Sequence, residues 1–528
     1  MKGEPSERGL RLAELVAALS LTSDLGLGQP MEHVMRSCLI ALRLGERLGL
    51  DEDERAAVYY VALLAWVGCT ADSHELSKWF GDDIAFRADT YEVDLAGLPA
   101  LAFMLRHAGA GRSNLQRATR SAALMVTGAG AVEASMMAHC QATGIVAERL
   151  GLGPEVRSPL QHNFARWDGK GLPAGLGGND IALSMRLVHL AEIVEVFHRR
   201  GGVDSAVEVA RKRSGKQFDP AIVEEFCRAA PDLLGGLDPD TNWDQVIEAE
   251  PALRPTLAAD ELDRALEAIA DFTDLKSPYL SGHSRGVADL TVEAGRWAGL
   301  PDSDVATLRR AGLVHDLGRT GVPNTIWDKP GPLTDAEWER VRLHAYYTER
   351  MLSRPPVLAS LAAIAALHHE RLDGSGYHRG LPGLSLGPSA RILAAADAYH
   401  AMTEPRPHRP ARSVADAADE LRTEVRAGRL DGKAVDAVLG AAGHRVGRRH
   451  SHPGGLTARE VEVLIHVARG ASNRQIAKAL QISQKTVGNH VEHIYTKLGV
   501  SSRSSATLSA MQYGLLDTLE PFSPPPER

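Results

Sequence analysis

The sequence has little of what stabilises secreted or membrane-embedded proteins. Its 528 residues include only four cysteines, none in a CxxC spacing, which favours buried apolar thiols in a reducing compartment over disulfides. The longest apolar run, Ala56 to Cys69, is shorter than the roughly 20 residues of a bilayer span and favours a buried helix. The opening residues MKGEP lack the apolar region of a signal peptide. These absences predict a cytoplasmic protein with no membrane segment.

Signals for β-strands are also scarce. Few stretches alternate apolar and polar residues, whereas apolar residues spaced by three and four recur along the chain, as in Leu10 to Leu19. Aromatic residues make up 5% and charged residues 24%, which is an ordinary composition for a globular protein. We therefore predict an all-α fold, and the length favours about three domains.

The net charge of −8 is unevenly distributed along the chain. Residues 445–503 carry ten Lys or Arg against three acidic residues, so the rest of the chain is strongly acidic. A small basic segment on an acidic chain indicates contact with nucleic acid at the C-terminal end.

The sequence contains an internal duplication. Residues 48–68 parallel residues 298–318 at an offset of 250, and after an insertion in the first copy, at about residues 71–138, the offset is 205. Where the second copy has His315, Asp316, His368, His369 and Asp397, the first has Ala65, Trp66, Asn163, Phe164 and Glu192. We interpret the first copy as a degenerate module that is kept for dimerisation or sensing.

The second copy carries five histidines and two aspartates that are suited to metal binding. These candidates are His283, His315, Asp316, His344, His368, His369 and Asp397. They outnumber the ligands of one tetrahedral ion, whereas two octahedral ions bridged by a carboxylate would use most of them, and we take Asp316 as the bridge. Nitrogen and oxygen ligands without thiolate favour iron or manganese over structural zinc. Since two neighbouring ions activate water for attack on phosphorus, the pattern predicts phosphoester hydrolysis.

These residues and their neighbours resemble the HD-GYP family. The motifs that carry the resemblance are Gly282-His283-Ser284-Arg285, His315-Asp316-Leu317-Gly318, His344, His368-His369-Glu370, Asp373-Gly374-Ser375-Gly376-Tyr377, Asp397-Ala398 and Arg406-Pro407-His408-Arg409. Members of this family are phosphohydrolases that cleave cyclic di-GMP and related cyclic dinucleotides. The resemblance implies that the seven candidates bind metal, that Asp316 and Arg319 take part in catalysis, and that Arg391 and Arg406 contact phosphate or support the site.

Three positions depart from the family pattern. Arg319 stands where the HDxGK motif has lysine, and because a guanidinium stays protonated it could clamp phosphate but not exchange a proton. His378 replaces the proline of the GYP motif. Tyr279 stands where three-metal members carry a glutamate, so two divalent ions are expected.

The C-terminal segment has a helix-turn-helix pattern. Thr457 with Glu460 and Ser472 with Gln475 are capping boxes that begin two helices, and Gly499 is placed to end a third. The stretches LTAREVEVL from residue 456, SNRQIA from residue 472 and KTVGNHV from residue 485 resemble the LuxR-type DNA-binding domain. The resemblance implies action as a dimer, with Asn489 at a base edge and mostly phosphate contacts elsewhere. The implied DNA contacts are Lys485, Thr486, Asn489, His493 and Lys497.

The expected architecture is two tandem HD-type helical bundles, the first degenerate, followed by a helix-turn-helix domain. The expected segments are an N-terminal segment 1–20, a degenerate HD-like module 21–235, a linker 236–258, an HD-GYP module 259–443, a basic linker 444–453, a LuxR-type domain 454–520 and a tail 521–528. The expected function is a cytoplasmic, homodimeric transcriptional regulator that hydrolyses a cyclic dinucleotide, cyclic di-GMP first, and couples this to DNA binding. The alternative is a ligand-sensing transcription factor with a relic HD-GYP module.

Overall fold

The structure, a computed structural model of the chain, describes residues 9–237, 242–251, 255–444, 456–500, 502–512 and 515. Within these ranges the regular secondary structure is helical, and the only β-type pairings are isolated bridges. The prediction of an all-α fold is confirmed. The chain divides into two compact units, Met1–His444 and Arg445–Arg528.

The first module is built from helices of mixed length. They are α1 Leu12–Gly26, α2 His33–Arg47, α3 Glu52–Leu64, α4 Cys69–Phe80, α5 Asp83–Thr90, α6 Gly97–His107, α7 Asn114–Ala123, α8 Ala129–Arg149, α9 Pro154–Leu160, α10 Leu183–Arg213, α11 Pro220–Leu234 and α12 Asn242–Glu248. A π-helical turn, Leu124–Gly128, joins α7 to α8, and α10 bends at Gly201 and Gly202, where the backbone is not helical. Helices α4 to α7 lie in the insertion that distinguishes this copy.

The second module follows without the insertion. Its helices are α13 Ala259–Asp274, α14 His283–Trp297, α15 Asp302–Val314, α16 Asn324–Trp327, α17 Asp335–Leu352, α18 Pro356–Ala365, α19 Pro388–Thr403, α20 Val414–Arg426 and α21 Gly432–Ala441. A short 3-10 turn, Leu317–Gly321, follows Asp316 directly. The longest connection, between α18 and α19, carries the Gly-Tyr-His motif.

Helix positions and one close contact agree with the internal duplication. Helices α2 and α3 begin 250 residues before α14 and α15, and α10 begins 205 residues before α19. Gly68 and Gly318 occupy corresponding turns, and a Cβ at either would overlap a backbone carbonyl oxygen, that of His139 in the first module and of His344 in the second. Only glycine permits this approach, so both copies retain it.

The two modules share one hydrophobic core, which crosses the expected domain boundaries. Leu15 and Leu19 of α1 are buried in it, although they fall in the expected N-terminal segment 1–20. Helix α12 lies inside the expected linker 236–258 and buries Val246, and the nearby Glu250 accepts a hydrogen bond from Tyr60 (2.6 Å). Both stretches join the fold because each presents apolar side chains at helical spacing to the core. Residues 1–8, 238–241 and 252–254 lie outside the described residues.

One described stretch, Glu52–Phe80, is long and apolar enough to cross a bilayer by length and composition. Of its most apolar window, 83% is buried inside the protein. The expected buried helix from Ala56 to Cys69 corresponds to most of α3, a turn and the first residue of α4. Its apolar character is used for packing within the fold.

The C-terminal unit contains α22 Ala458–Ala468, α23 Asn473–Ala479, α24 Gln484–Leu498 and α25 Arg503–Gln512. Both predicted capping boxes are present, at Thr457 with Glu460 and at Ser472 with Gln475. Gly499 ends α24 in the left-handed conformation that favours glycine, as predicted. The tail 521–528 and the basic linker after His444 lie outside the described residues.

Candidate functional site

The seven predicted ligands of the second module lie together at one buried site. His283 is the first residue of α14, His315 and Asp316 follow the end of α15, and the remaining ligands come from α17, the loop after α18, and α19. All are buried except His369, which is partly exposed. Buried charged and imidazole groups are costly unless they are paired or bound to metal, so their convergence indicates a site.

The Asp316 carboxylate lies between two pairs of histidines. Its Oδ2 atom is 3.5 Å from the Nε2 atom of His283 and 3.0 Å from that of His315. Its Oδ1 atom is 3.5 Å from the Nε2 atoms of both His344 and His368. One carboxylate therefore faces both pairs, which is the arrangement expected of a bridge between two ions.

The second carboxylate, Asp397, also faces two groups. Its Oδ1 atom is 3.3 Å from His283 Nε2 and 3.7 Å from His315 Nε2, and its Oδ2 atom is 3.8 Å from His369 Nδ1. The sequence pattern singled out Asp316 alone as a bridge, and it gave no sign that Asp397 shares this position. The ligands thus form two sets: His283, His315 and Asp397, and His344, His368 and His369.

Unpaired polar atoms show that these side chains fit a metal centre. The Nε2 atoms of His283 and His315 are buried and make no hydrogen bond of good geometry among the described residues, although carboxylate oxygens lie 3.0 to 3.7 Å away. The Nδ1 atoms of His344 and His368 donate to the carbonyl oxygens of Val341 (2.5 Å) and Ala365 (2.7 Å), which leaves a lone pair on each Nε2. Those two Nε2 atoms are 3.1 Å apart, so two lone pairs face each other and a cation would satisfy both.

The electrostatics of the site favour positive charge. Burial lowers the pKa of His283, but the carboxylates of Asp316, Asp397 and Glu404 outweigh burial and raise it to about 10. The pKa of His315 is raised to about 9 by Asp316 and Asp397 against the same effect of burial. Burial opposes the ionisation of Asp316, yet the nearby Arg319 and histidines hold its pKa well below the usual range. The carboxylates therefore stay charged and attract cations.

Two residues to which the sequence analysis assigned no role support the predicted ligands. Glu404 Oε2 is 2.9 Å from the Nδ1 atom of His283, so a carboxylate orients the ligand from behind. The buried Glu370 accepts hydrogen bonds from the backbone N–H groups of Arg379 (2.8 Å) and Leu381 (2.9 Å), which holds the loop of the Gly-Tyr-His motif. Glu404 lies two residues before the quoted motif at Arg406, and this proximity was the available signal.

The three predicted arginines have different environments. Arg319 reaches the site: its Nη2 atom is 2.8 Å from Asp316 Oδ2 and its guanidinium stacks over Trp327 at 5.0 Å. Arg406 pairs with Glu404 (2.8 Å). Arg391 is engaged by the carbonyl oxygens of Leu386 and Gly383 and by Asp431, which fits the supporting role.

The other departures from the family pattern lie away from the ligands. His378 Nε2 is 2.9 Å from Glu349 Oε2, so this histidine fastens the loop to α17. Among the described residues, Tyr279 is in none of the side-chain clusters that could hold an ion. Its backbone carbonyl accepts a hydrogen bond from Arg406.

The corresponding cleft of the first module is filled by other side chains. The Trp66 indole N–H donates to Glu192, and the Trp66 ring packs edge-on against Phe164. His139 and Asn163 both bond to the carbonyl oxygen of Ala65, at 2.8 and 3.1 Å. Within the described ranges, clusters of three or more side chains suited to hold an ion occur only in the second module.

Helix α24 presents the predicted DNA-contacting face to solvent. Lys485, Thr486, Asn489 and His493 are exposed, while Val487 and Ile494 on the opposite stripe are buried. Lys497 differs, because its Nζ atom is 2.6 Å from the buried Glu460 and it braces α24 against α22. A sequence pattern cannot show this pairing, since 37 residues separate the partners.

The fold and site define an HD-domain protein joined to a LuxR-family regulatory domain. The model of the HD domain matches residues 267–434, and that of the bacterial regulatory proteins of the luxR family matches residues 455–510. The 3'3'-cGAMP-specific phosphodiesterase 3 of Vibrio cholerae is 33% identical over 408 residues, which is 76% of this chain and 88% of that protein.

Two further comparisons agree. A crystal structure of a cyclic GMP-AMP specific phosphodiesterase of V. cholerae superposes with a TM-score of 0.59 at 28% identity, covering 83% of this chain and 99% of that chain. A cyclic di-GMP phosphodiesterase of Thermotoga maritima is 34% identical over 166 residues, 31% of this chain and 45% of that protein. The chain belongs to the HD-GYP family of HD-domain phosphohydrolases.

Proposed function

We propose that the chain is a cytoplasmic transcriptional regulator whose second module hydrolyses a 3',3'-cyclic dinucleotide and whose C-terminal domain binds DNA. The observation that carries the enzymatic half is the Asp316 carboxylate, which lies between two histidine pairs whose Nε2 atoms have lone pairs or no partner. A set of this kind is suited to two divalent ions, iron or manganese. When bound, such ions would activate water and offset the negative charge that develops on the phosphoryl oxygens.

The residues of the chain would supply the rest of the chemistry. His283, His315 and Asp397 on one side, and His344, His368 and His369 on the other, would hold the ions with Asp316 between them. The Arg319 guanidinium, which now pairs with Asp316, could donate to a phosphoryl oxygen of the scissile phosphodiester. Glu404 would keep His283 oriented. Burial of the ligands excludes bulk water and strengthens these interactions.

Two cyclic dinucleotides are the substrates to test first. The V. cholerae relative, which covers both modules, is named for 3'3'-cGAMP, and the shorter T. maritima match is named for cyclic di-GMP. We propose that the substrate is one of these two. Incubation of the metal-loaded protein with each nucleotide should yield a linear dinucleotide, and Asp397→Asn should abolish it. Absence of linear product from both nucleotides, with metal bound, would contradict the proposed hydrolysis.

The second candidate function is sensing without turnover. The observation in its favour is the ion pair of 2.8 Å between Arg319 and Asp316, because a permanent cation at the bridging carboxylate competes with metal for it. A sensor would bind the cyclic dinucleotide, return it unchanged and alter DNA affinity, whereas a phosphodiesterase would release linear product.

The DNA-binding half rests on the exposed face of α24. We propose that Lys485, Thr486, Asn489, His493 and Lys497 contact DNA and that a homodimer binds paired half-sites. Nucleotide binding would then shift the arrangement of the two DNA-binding domains in the dimer. Selection of bound sequences from genomic DNA, with and without cyclic dinucleotide, tests this coupling. An affinity for the selected sequence that does not change with nucleotide would argue against it.

A further inference from the structure

A buried ion pair joins the insertion of the first module to the second module. Asp83 is the first residue of α5, and its Oδ2 atom accepts a hydrogen bond of 2.8 Å from the Nζ atom of Lys276. Both side chains are at most 1% exposed. Arg87 also contacts Asp83 Oδ2 (3.2 Å) and keeps a second carboxylate partner in Asp72. Because buried charges are costly unless they are fully paired, this ion pair fixes the position of α5 against the second module.

The other oxygen of Asp83 holds a short helix of the second module. Asp83 Oδ1 accepts a hydrogen bond of 2.8 Å from the backbone N–H of Asn324, the first residue of α16. The Asn324 side chain donates to the carbonyl oxygen of Lys276 (2.5 Å) and to Asp328 (3.0 Å). A helix of four residues has too few internal hydrogen bonds to fix its own position, so α16 is held by these contacts together with the apolar packing of Ile326 and Trp327 beside Val341.

The last residue of α16 in turn holds Arg319. The Trp327 indole N–H donates to the carbonyl oxygen of Arg319 (3.2 Å), and the Arg319 guanidinium lies over the Trp327 ring. Arg319 then reaches Asp316 at 2.8 Å. A continuous series of contacts therefore leads from a carboxylate of the first module to the bridging carboxylate of the second.

We propose that Asp83, a residue of the degenerate module, is a positioning residue for Arg319 in the phosphodiesterase reaction. It acts through Asn324 and Trp327 and touches neither substrate nor ligand. This inference rests on the proposed hydrolysis. It also gives the first module a definite role, because the helix that carries Asp83 belongs to the insertion that the second copy lacks. A catalytic guanidinium displaced by about 1 Å can lower a rate by as much as about a hundredfold.

The test compares two Asp83 variants in a chain that also carries Lys276→Met, so that the comparison isolates one hydrogen bond. Lys276→Met removes the buried ammonium, so that changing Asp83 leaves no unpaired charge there, and Arg87 retains Asp72. In this background Asp83→Asn keeps a side-chain oxygen that can accept from Asn324, whereas Asp83→Ala removes it. The two proteins differ in the proposed contact and in little else.

Two measurements are compared for these variants. The first is the kcat and KM for cyclic dinucleotide hydrolysis, where Asp83→Ala should lower kcat about ten- to a hundredfold relative to Asp83→Asn with little change in KM. The second measurement does not depend on enzymatic activity: it is the nuclear magnetic resonance signal of the Trp327 indole N–H in the full chain. This signal is identified by its loss in Trp327→Phe, and it should shift in the alanine variant only. The Trp327 signal reports the position of the helix whether or not the protein is an enzyme.

A second ion pair between the modules provides the matched control. Arg340 of α17 pairs with Asp82 (3.3 Å), the residue that caps α5. Arg340→Ala removes this pair and leaves the cap in place, so it should change neither kcat nor the Trp327 signal. The proposal is overturned if the Trp327 signal and kcat are the same in the Asp83→Asn and Asp83→Ala proteins, or if Arg340→Ala matches the alanine variant. A shifted signal in a chain that hydrolyses neither nucleotide would instead refute the proposed hydrolysis and retain the contact.

Discussion

Replacement of Glu192 by glutamine should stabilise the protein far more at pH 8 than at pH 5. Glu192 occupies the position of Asp397 in the first module, where it is buried and accepts a hydrogen bond from the Trp66 indole. Burial raises its pKa to about 8, although the bond from Trp66 opposes the shift. The side-chain oxygen of glutamine can accept the same bond, so Glu192→Gln removes the ionisation and retains the contact.

The magnitude follows from the difference between the folded and unfolded pKa values. The folded protein keeps the Glu192 proton up to about pH 8, whereas the unfolded chain loses it above its ordinary value of 4.5. Since the unfolded state binds fewer protons in this window, the stability of the wild type falls as pH rises from 4.5 to 8. At about 1.4 kcal/mol per pH unit, the free energy of unfolding gained by glutamine is about 1 kcal/mol at pH 5 and about 4 kcal/mol at pH 8.

Urea unfolding followed by far-ultraviolet circular dichroism measures this difference at the two pH values. Glu195→Gln is the matched control on the same helix. Burial alone would raise the Glu195 pKa, but His33 and Arg36 hold it at about 2. Both pH values lie above this range, so Glu195→Gln should destabilise the protein at each and give no gain at pH 8. A gain for Glu192→Gln that is the same at pH 5 and pH 8 would refute the reasoning.

Three further predictions concern the second module and the DNA-binding domain. Glu404→Gln should weaken metal binding about ten- to a hundredfold, because His283 loses a charged partner at Nδ1. Calorimetric titration with metal measures this affinity, and an unchanged affinity would contradict the prediction. Lys485→Ala with Asn489→Ala should reduce DNA affinity and its salt dependence, whereas the exposed Lys78→Ala should not, and equal affinities in a binding titration would contradict the assignment. Arg319→Met should lower kcat for hydrolysis by a larger factor than it changes KM. A rise in KM with unchanged kcat would show that Arg319 only binds substrate.

The sequence predicted which side chains of the second module converge better than it predicted their surroundings. His315 and Asp316 were recognised because adjacent ligands at fixed positions form a local pattern, and the altered first copy marked the same positions by contrast. Lys276 and Asp83 are 193 residues apart, so no pattern of local spacing predicts that they pair. The position of Asp397 between His283 and His369 depends on how α19 packs, which also has no local signature.

Helices α1 and α12 lie in stretches that were expected to be an N-terminal segment and a linker, and the reason is related. Leu12 to Leu19 fell in the expected N-terminal segment, although their apolar residues have helical spacing, and the stretch around Val246 fell in the expected linker. Both runs pack against the first module and close its core. Burial of a short helix depends on a partner surface, which only the folded structure identifies.

The claim that two ions lie between the ligand sets on either side of Asp316 is tested most directly by metal analysis of the purified chain. The wild type should hold about two iron or manganese ions per chain, a stoichiometry that follows from the two ligand sets. His344→Ala with His368→Ala removes most of one set and should leave about one ion, while His139→Ala, at the corresponding position of the first module, should leave both. A wild type that binds no metal, or a content unchanged by loss of His344 and His368, would contradict the account.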